Sequence, residues 1–115
     1  MNSKGFESEA AYRAKIKESF DRIERAFESV DPDIVECSVQ FGALTLLFPP
    51  GKKCILSAQP SVEQLWMALA SQGKAYHFDF DPTTGLWHDD KGEGIELIAF
   101  LEKFLNEMTG LTIRF

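Results

Sequence analysis

Six short runs rich in β-branched and aromatic residues follow one another between positions 34 and 88, separated by links of only two to five residues. They are Ile34 to Gln40, Ala43 to Phe48, Lys53 to Ala58, Gln64 to Leu69, Ala75 to Phe80 and Leu86 to His88. Turn chemistry marks the breaks at Phe41-Gly42, at Pro49-Pro50-Gly51 and along Asp81 to Gly85, because Gly and Pro supply backbone angles that strands do not use. A parallel crossover needs a dozen or more residues, usually with a helix inside it. Links this short therefore predict antiparallel neighbours in a meander of five or six strands.

The flanks have a different period. From Ala10 to Val30, the residues Ile16, Phe20, Ile23, Phe27 and Val30 recur at spacings of 4, 3, 4 and 3, which places them on one stripe of a helix turning about 100° per residue. Asp31-Pro32 should stop it, since the residue before proline avoids helical angles. A second amphipathic segment runs from Glu93 to Met108, with Ile95, Ile98, Leu101, Leu105 and Met108 on one side and Gly110 suited to a C-terminal cap. The tail from Leu111 to Phe115 alternates, which fits either a last strand or apolar side chains tucked beside the helices. Each helix has one apolar face and the sheet has one to cover. The expected fold is an α+β two-layer sandwich, both helices on one sheet face and the other face open to solvent or a partner. Its 115 residues suit a single domain, read as 1–115.

No apolar run approaches the roughly 18 residues of a membrane span, and Met1 to Tyr12 has neither a signal-peptide core nor a transit-peptide character. Cys37 and Cys54 lie 17 positions apart inside strand-like runs, without metal-ligand spacing, and read as reduced core thiols. The net charge is −6, and Glu18 to Glu36 alone holds seven acids against Arg22 and Arg25. Such a surface repels phosphate backbones and favours cations and basic protein patches, so neither nucleic acid nor membrane is an expected partner.

Along the first helix Asp21, Glu24, Glu28 and Asp31 repeat at i, i+3, i+7 and i+10, forming one edge beside the apolar stripe; Asp33 and Glu36 extend it onto the first strand. Like charges so close destabilise a helix by a few tenths of a kcal/mol per pair. On pattern alone the edge is either a solvating face or a weak oxygen-ligand cation site. In the fourth strand, alternation puts Gln64, Trp66 and Ala68 on one face and Leu65, Met67 and Leu69 on the other. The aliphatic set should face the helices, leaving Trp66 on the open face near Ser57 and Gln59, where an amphipathic ring makes an interface anchor with its N–H still to offer. Alternation alone leaves open the inverse, with Trp66 in the core. Trp87 is read as partly buried packing. His77 and His88 have no partner at metal or triad spacing, though His77 shares a strand face with Asp79. With no G-x-S-x-G, phosphate loop or H-E-x-x-H, no enzyme mechanism is indicated. A small acidic non-metal binding module, such as a secretion chaperone, fits these features as well.

Four stretches narrow the choice. The acidic run ending in Glu36-Cys37 leads into GALTLLF at Gly42 to Phe48; then come QPSVEQLW at Gln59 to Trp66, YHFD at Tyr76 to Asp79, and Leu86-Trp87. In this order, with the flanking helices, they resemble the frataxin family over about residues 12–115, in its bacterial branch. Ser57 stands where an Asn is common, and Arg25 and Ser29 where bacterial relatives often carry further acids. The resemblance implies a protein that binds iron, Fe2+ or Fe3+, weakly through Asp21, Glu24, Glu28, Asp31, Asp33 and Glu36, and modulates iron-sulfur cluster assembly. It implies two partners: a cysteine desulfurase at the acidic ridge and an iron-sulfur scaffold protein at the open face, through Ser57, Gln59, Gln64, Trp66 and His77. It further implies a cytoplasmic monomer that iron could drive into oligomers. Ferroxidase activity has been attributed to some frataxins, but such centres need a carboxylate-His cluster within a bundle, and none is visible here.

Overall fold

The computed structural model describes residues 6–115; the first five positions of the Met1 to Tyr12 segment, expected to carry no signal or transit peptide, lie outside the described residues. Helix α1 spans Glu9–Ala26 and is capped by Ser8, whose Oγ accepts from the Ala11 N–H at 3.1 Å. Six strands follow, β1 (Glu36–Gln40), β2 (Ala43–Phe48), β3 (Lys52–Gln59), β4 (Gln64–Leu69), β5 (Lys74–Asp81) and β6 (Leu86–Asp89), then α2 (Leu97–Thr109). A single 3-10 turn, Ala70–Gln72, links β4 to β5. All neighbours pair antiparallel in the order β1-β2-β3-β4-β5-β6, as the short links require. Phe41 and Gly42 both adopt positive φ, 51° and 76°, the pattern of a two-residue turn matched to strand twist.

The register fixes which side is buried. Leu46 faces Cys54, Leu56 faces Met67, Leu65 faces Phe78 and Phe80 faces Trp87 across the ladders, so one sheet face carries a continuous apolar layer. Tyr12, Ile16, Phe20 and Ile23 of α1 and Leu97, Leu101, Phe104 and Leu105 of α2 join it in one core. Each large apolar side chain so buried contributes roughly 1.5–3 kcal/mol. Leu65, Met67 and Leu69 are buried while Trp66 is half-exposed, so the face assignment of β4 holds. Among the described residues no helix is long and apolar enough to cross a membrane.

Several expected limits move. Helix α1 stops at Ala26 rather than Val30: Phe27 closes it with φ −95° and ψ 0°, its N–H shared between the Glu24 and Arg25 carbonyls. Glu28 and Asp31 therefore follow the helix instead of lying on it. Strand β1 begins at Glu36, so Asp33 and Ile34 belong to the preceding turn, where Val35 is already buried. Helix α2 begins at Leu97, not Glu93, because Gly92 and Gly94 take φ of 72° and 76°, which no right-handed helix accommodates. Glu96 caps it, accepting from Ile98 N at 2.8 Å and Ala99 N at 3.0 Å. The tail forms no strand; Ile113 tucks into the core, and the Phe115 ring lies 6.0 Å from that of Phe27. Trp87 is fully rather than partly buried, at 3% exposure, its indole N–H donating to Ser19 Oγ at 3.0 Å.

Both cysteines are free. They sit two strands apart, with Leu46 between them, which separates their Cα atoms by about 10 Å, beyond disulfide reach. Burial pushes the Cys54 thiol up to about 12, and burial followed by the Glu24 charge pushes Cys37 up to about 11. Cys54 is a core thiol, as expected; Cys37 is only half-buried.

Candidate functional site: an acidic ridge and an open sheet face

The ridge is assembled by three successive elements rather than by one helix. Asp21 and Glu24 come from α1, Glu28, Asp31 and Asp33 from the following turns, and Glu36 from the start of β1. Asp21 is half-exposed and its Oδ2 accepts from Lys17 Nζ at 2.7 Å, whereas the other five are exposed. Asp31 Oδ1 accepts from the Asp33 N–H at 2.9 Å and holds the turn. Glu24, Glu28 and Glu36 meet Cys37 around a shallow concavity of about 380 Å³, floored by Phe27, Val30, Pro32 and Val35. Asp21, Asp31 and Asp33 do not line it. Among the described residues no three His, Cys, Asp or Glu side chains converge closely enough to hold one metal ion. The ridge is thus a string of separate oxygen donors, suited to hard or borderline cations held loosely and exchanged easily.

The open face is built differently. Trp66 of β4 lies opposite Ser57 of β3 and His77 of β5, and its indole stacks on the His77 ring, centroids 4.1 Å apart and planes 14° from parallel. Gln59 Nε2 donates to Ser57 Oγ at 3.4 Å. Gln64 corrects the sequence reading: it is only 4% exposed and acts as an internal strut, not a contact residue. Its Nε2 donates to Asp79 Oδ1 and to Asp90 Oδ2, both at 3.0 Å, while its Oε1 accepts from Trp66 Nε1 at 2.8 Å. The indole N–H is consequently used internally, and Trp66 presents ring rather than donor. Of the predicted set, Ser57, Gln59, Trp66 and His77 share this face with at least partial exposure. His88 lies opposite Asp79 on the neighbouring strand β6, and its Nε2 is 3.3 Å from Thr84 Oγ1.

The sequence pattern of the frataxin-like domain matches residues 6–111. The chain belongs to the frataxin family. It is 33% identical over 102 residues to the iron-sulfur cluster assembly protein CyaY of Tolumonas auensis, covering 89% of this chain and 92% of that one. It is 34% identical over 108 residues to the CyaY of Pseudomonas aeruginosa, covering 94% and 96%. A solved frataxin from Psychromonas ingrahamii, described within the CyaY protein family, superposes with a TM-score of 0.81 over 93% of this chain and 96% of that one; at 24% identity it speaks for the frataxin fold. The order of two helices around a six-stranded antiparallel sheet is therefore the family's.

Sequence reasoning missed Asp90 in this frataxin. Asp89 and Asp90 look alike in the sequence, yet Asp89 caps a loop while Asp90 joins the Gln64 amide 3.7 Å from His77 Nδ1. The only advance signal was position: a strand alternates sides, so two adjacent acids at its end must point to different layers.

Proposed function

We propose that the chain serves iron-sulfur cluster assembly, meeting iron at the acidic ridge as cargo and docking the assembly machinery through the ridge and the open sheet face. The observation that carries this is the ridge itself, within a chain so similar to proteins named for cluster assembly. Glu24, Glu28, Asp31, Asp33 and Glu36 have no Lys or Arg partner among the described residues. Their charge is turned outward, where it is available to a cation or a basic protein surface. Scattered carboxylates without a cage favour weak capture and ready release of Fe2+ or Fe3+, the property a donor or regulator needs. The role requires no catalytic centre. Two free thiols held protonated agree with a reducing compartment such as the cytoplasm.

The two surfaces suit different partners. The ridge complements a basic patch, which we assign to the cysteine desulfurase; the half-exposed Trp66–His77 stack suits an apolar or amide-bearing contact, which we assign to the iron-sulfur scaffold protein. A pull-down separates them. Trp66→Ala is expected to weaken scaffold binding by about 2 kcal/mol, the range of an aromatic anchor, while costing the fold about 1–3 kcal/mol for the lost stack and for the buried Gln64 Oε1 left unpaired. Reversing charge at Glu24 and Glu28 together is expected to weaken desulfurase binding more than scaffold binding. If both variants retain both partners at wild-type strength, the docking role is wrong.

A further inference from the structure

The Gln64 side chain is buried, with both amide hydrogens donated and its carbonyl oxygen accepting one bond. An amide can be turned over, exchanging its oxygen and nitrogen, and its surroundings choose the orientation. Here two carboxylates, Asp79 Oδ1 and Asp90 Oδ2, each stand 3.0 Å from Nε2. The turned-over amide would set its oxygen against both of them. The carboxylates therefore force the carbonyl oxygen toward Trp66 Nε1, 2.8 Å away, and that bond orients the indole on which His77 stacks. Asp90 lies just past the end of β6, where its N–H donates to the His77 carbonyl at 2.8 Å, prolonging the ladder by one residue. Its side chain is 27% exposed and its Oδ2 also lies 3.7 Å from His77 Nδ1. It thus touches both ends of the aromatic stack, one through Gln64 and one directly.

We propose that Asp90 is a positioning residue for the open face: through the Gln64 amide it fixes the Trp66 indole against His77, so that the aromatic pair is rigid before a partner arrives. Pre-ordering a contact residue reduces the entropy lost on association. A partner then meets a fixed ring edge and face with neighbouring carboxylates, and no free indole donor. That favours an apolar contact flanked by a basic side chain over one that needs a hydrogen bond from the indole. The effect on affinity rests on the docking role proposed above; the effect on the indole does not.

The test joins two readouts. In the free protein, Asp90→Ala is expected to speed hydrogen exchange of the Trp66 indole proton by about tenfold, roughly the loss of a hydrogen bond to a charged network, and to shift its resonance, with the rest of the amide spectrum retained. Asp90→Asn, which keeps a side-chain oxygen for Gln64, should stay within about twofold of wild type, and Gln64→Leu, which deletes the acceptor, should reproduce the Asp90→Ala change. Against purified scaffold protein, Asp90→Ala should weaken binding by about fivefold, the equivalent of one net hydrogen bond. In a Trp66→Phe background, which keeps a ring but has no N–H, the same change should have no further effect. An unchanged indole in Asp90→Ala, or an equal affinity loss in the Trp66→Phe background, overturns the proposal. A loosened indole in a protein whose wild type does not bind the scaffold supports the positioning and instead overturns the docking role.

Discussion

The Tyr12 hydroxyl is buried between α1 and the sheet, where it donates to the Gln64 carbonyl at 2.7 Å and accepts from the Gln59 N–H at 2.9 Å. One atom thus closes the open ends of β3 and β4, and burial pushes the phenol up from its ordinary range so that it stays neutral. Tyr12→Phe keeps the ring but strands a buried carbonyl and a part-buried N–H. It should lower stability by about 1–3 kcal/mol, read as a shift in urea midpoint at constant slope. Asp89 performs a comparable task in the loop before α2, accepting from the N–H groups of Lys91, Glu93 and Ile95. The Glu93 bond, with the Ile95 and Lys91 bonds behind it, outweighs desolvation and holds this carboxyl below its ordinary range. A depressed folded value means that the stabilisation is fully present above the unfolded carboxyl's value of about 3.9 and is lost as pH falls through the folded value. Asp89→Asn should therefore be less stable than wild type at pH 7, with the gap closing below pH 4; a gap that persists undiminished at low pH would show that charge plays no part.

At the scale of elements, existence and pairing were legible because links of two to five residues admit only hairpins, whereas element ends were not. Phe27 and Val30 continue the helical spacing and pack against the core, so periodicity could not reveal that the chain between them had already left the α-helix. The carbonyls of Glu24 and Phe27 accept from the N–H groups of Phe27 and Val30, respectively, bonds three residues apart that keep a similar apolar face. Gly94 was the readable exception, since a glycine inside a presumed first turn argued against the helix starting at Glu93; the Glu96 cap was not readable, because glutamate is not among the favoured N-cap residues. The early end of α1 alters the electrostatics of the ridge. Glu24 lies in the last turn, where a negative charge opposes the helix dipole, and Glu28 crowds it from the next turn. Reversing both charges should leave the domain folded and raise its stability by about 0.3–1 kcal/mol at low ionic strength. A melting temperature that rises in low salt and converges with wild type in high salt would bear this out, and a fall would mean that the carboxylates hold structural bonds.

Taken as a whole, the molecule separates its two candidate surfaces: the ridge runs from the end of α1 through the following turns to the start of β1, while the aromatic stack lies on the sheet face turned away from the helices. The outline of both was legible. Asp21 to Glu36 announced themselves by charge density, and Trp66 by alternation against Leu65 and Met67. What sequence could not supply was side-chain direction within the open face. Gln64 and Trp66 occupy equivalent alternating positions, yet one is sealed by two carboxylates and the other is half-exposed, a difference set by Asp79 of β5 and by Asp90 just past β6. Likewise, nothing in the spacing of six acids distinguished Glu24, Glu28 and Glu36, which share a concavity, from Asp21, which Lys17 already engages. The most direct test of the central claim is an anaerobic titration of the protein with ferrous iron, followed by amide chemical shifts and line widths. The account predicts selective perturbation at Glu24, Glu28 and Glu36, followed by Asp31, Asp33 and Asp21, with a dissociation constant of about micromolar or weaker; changes confined to His77 and His88, or none at the ridge, would contradict it.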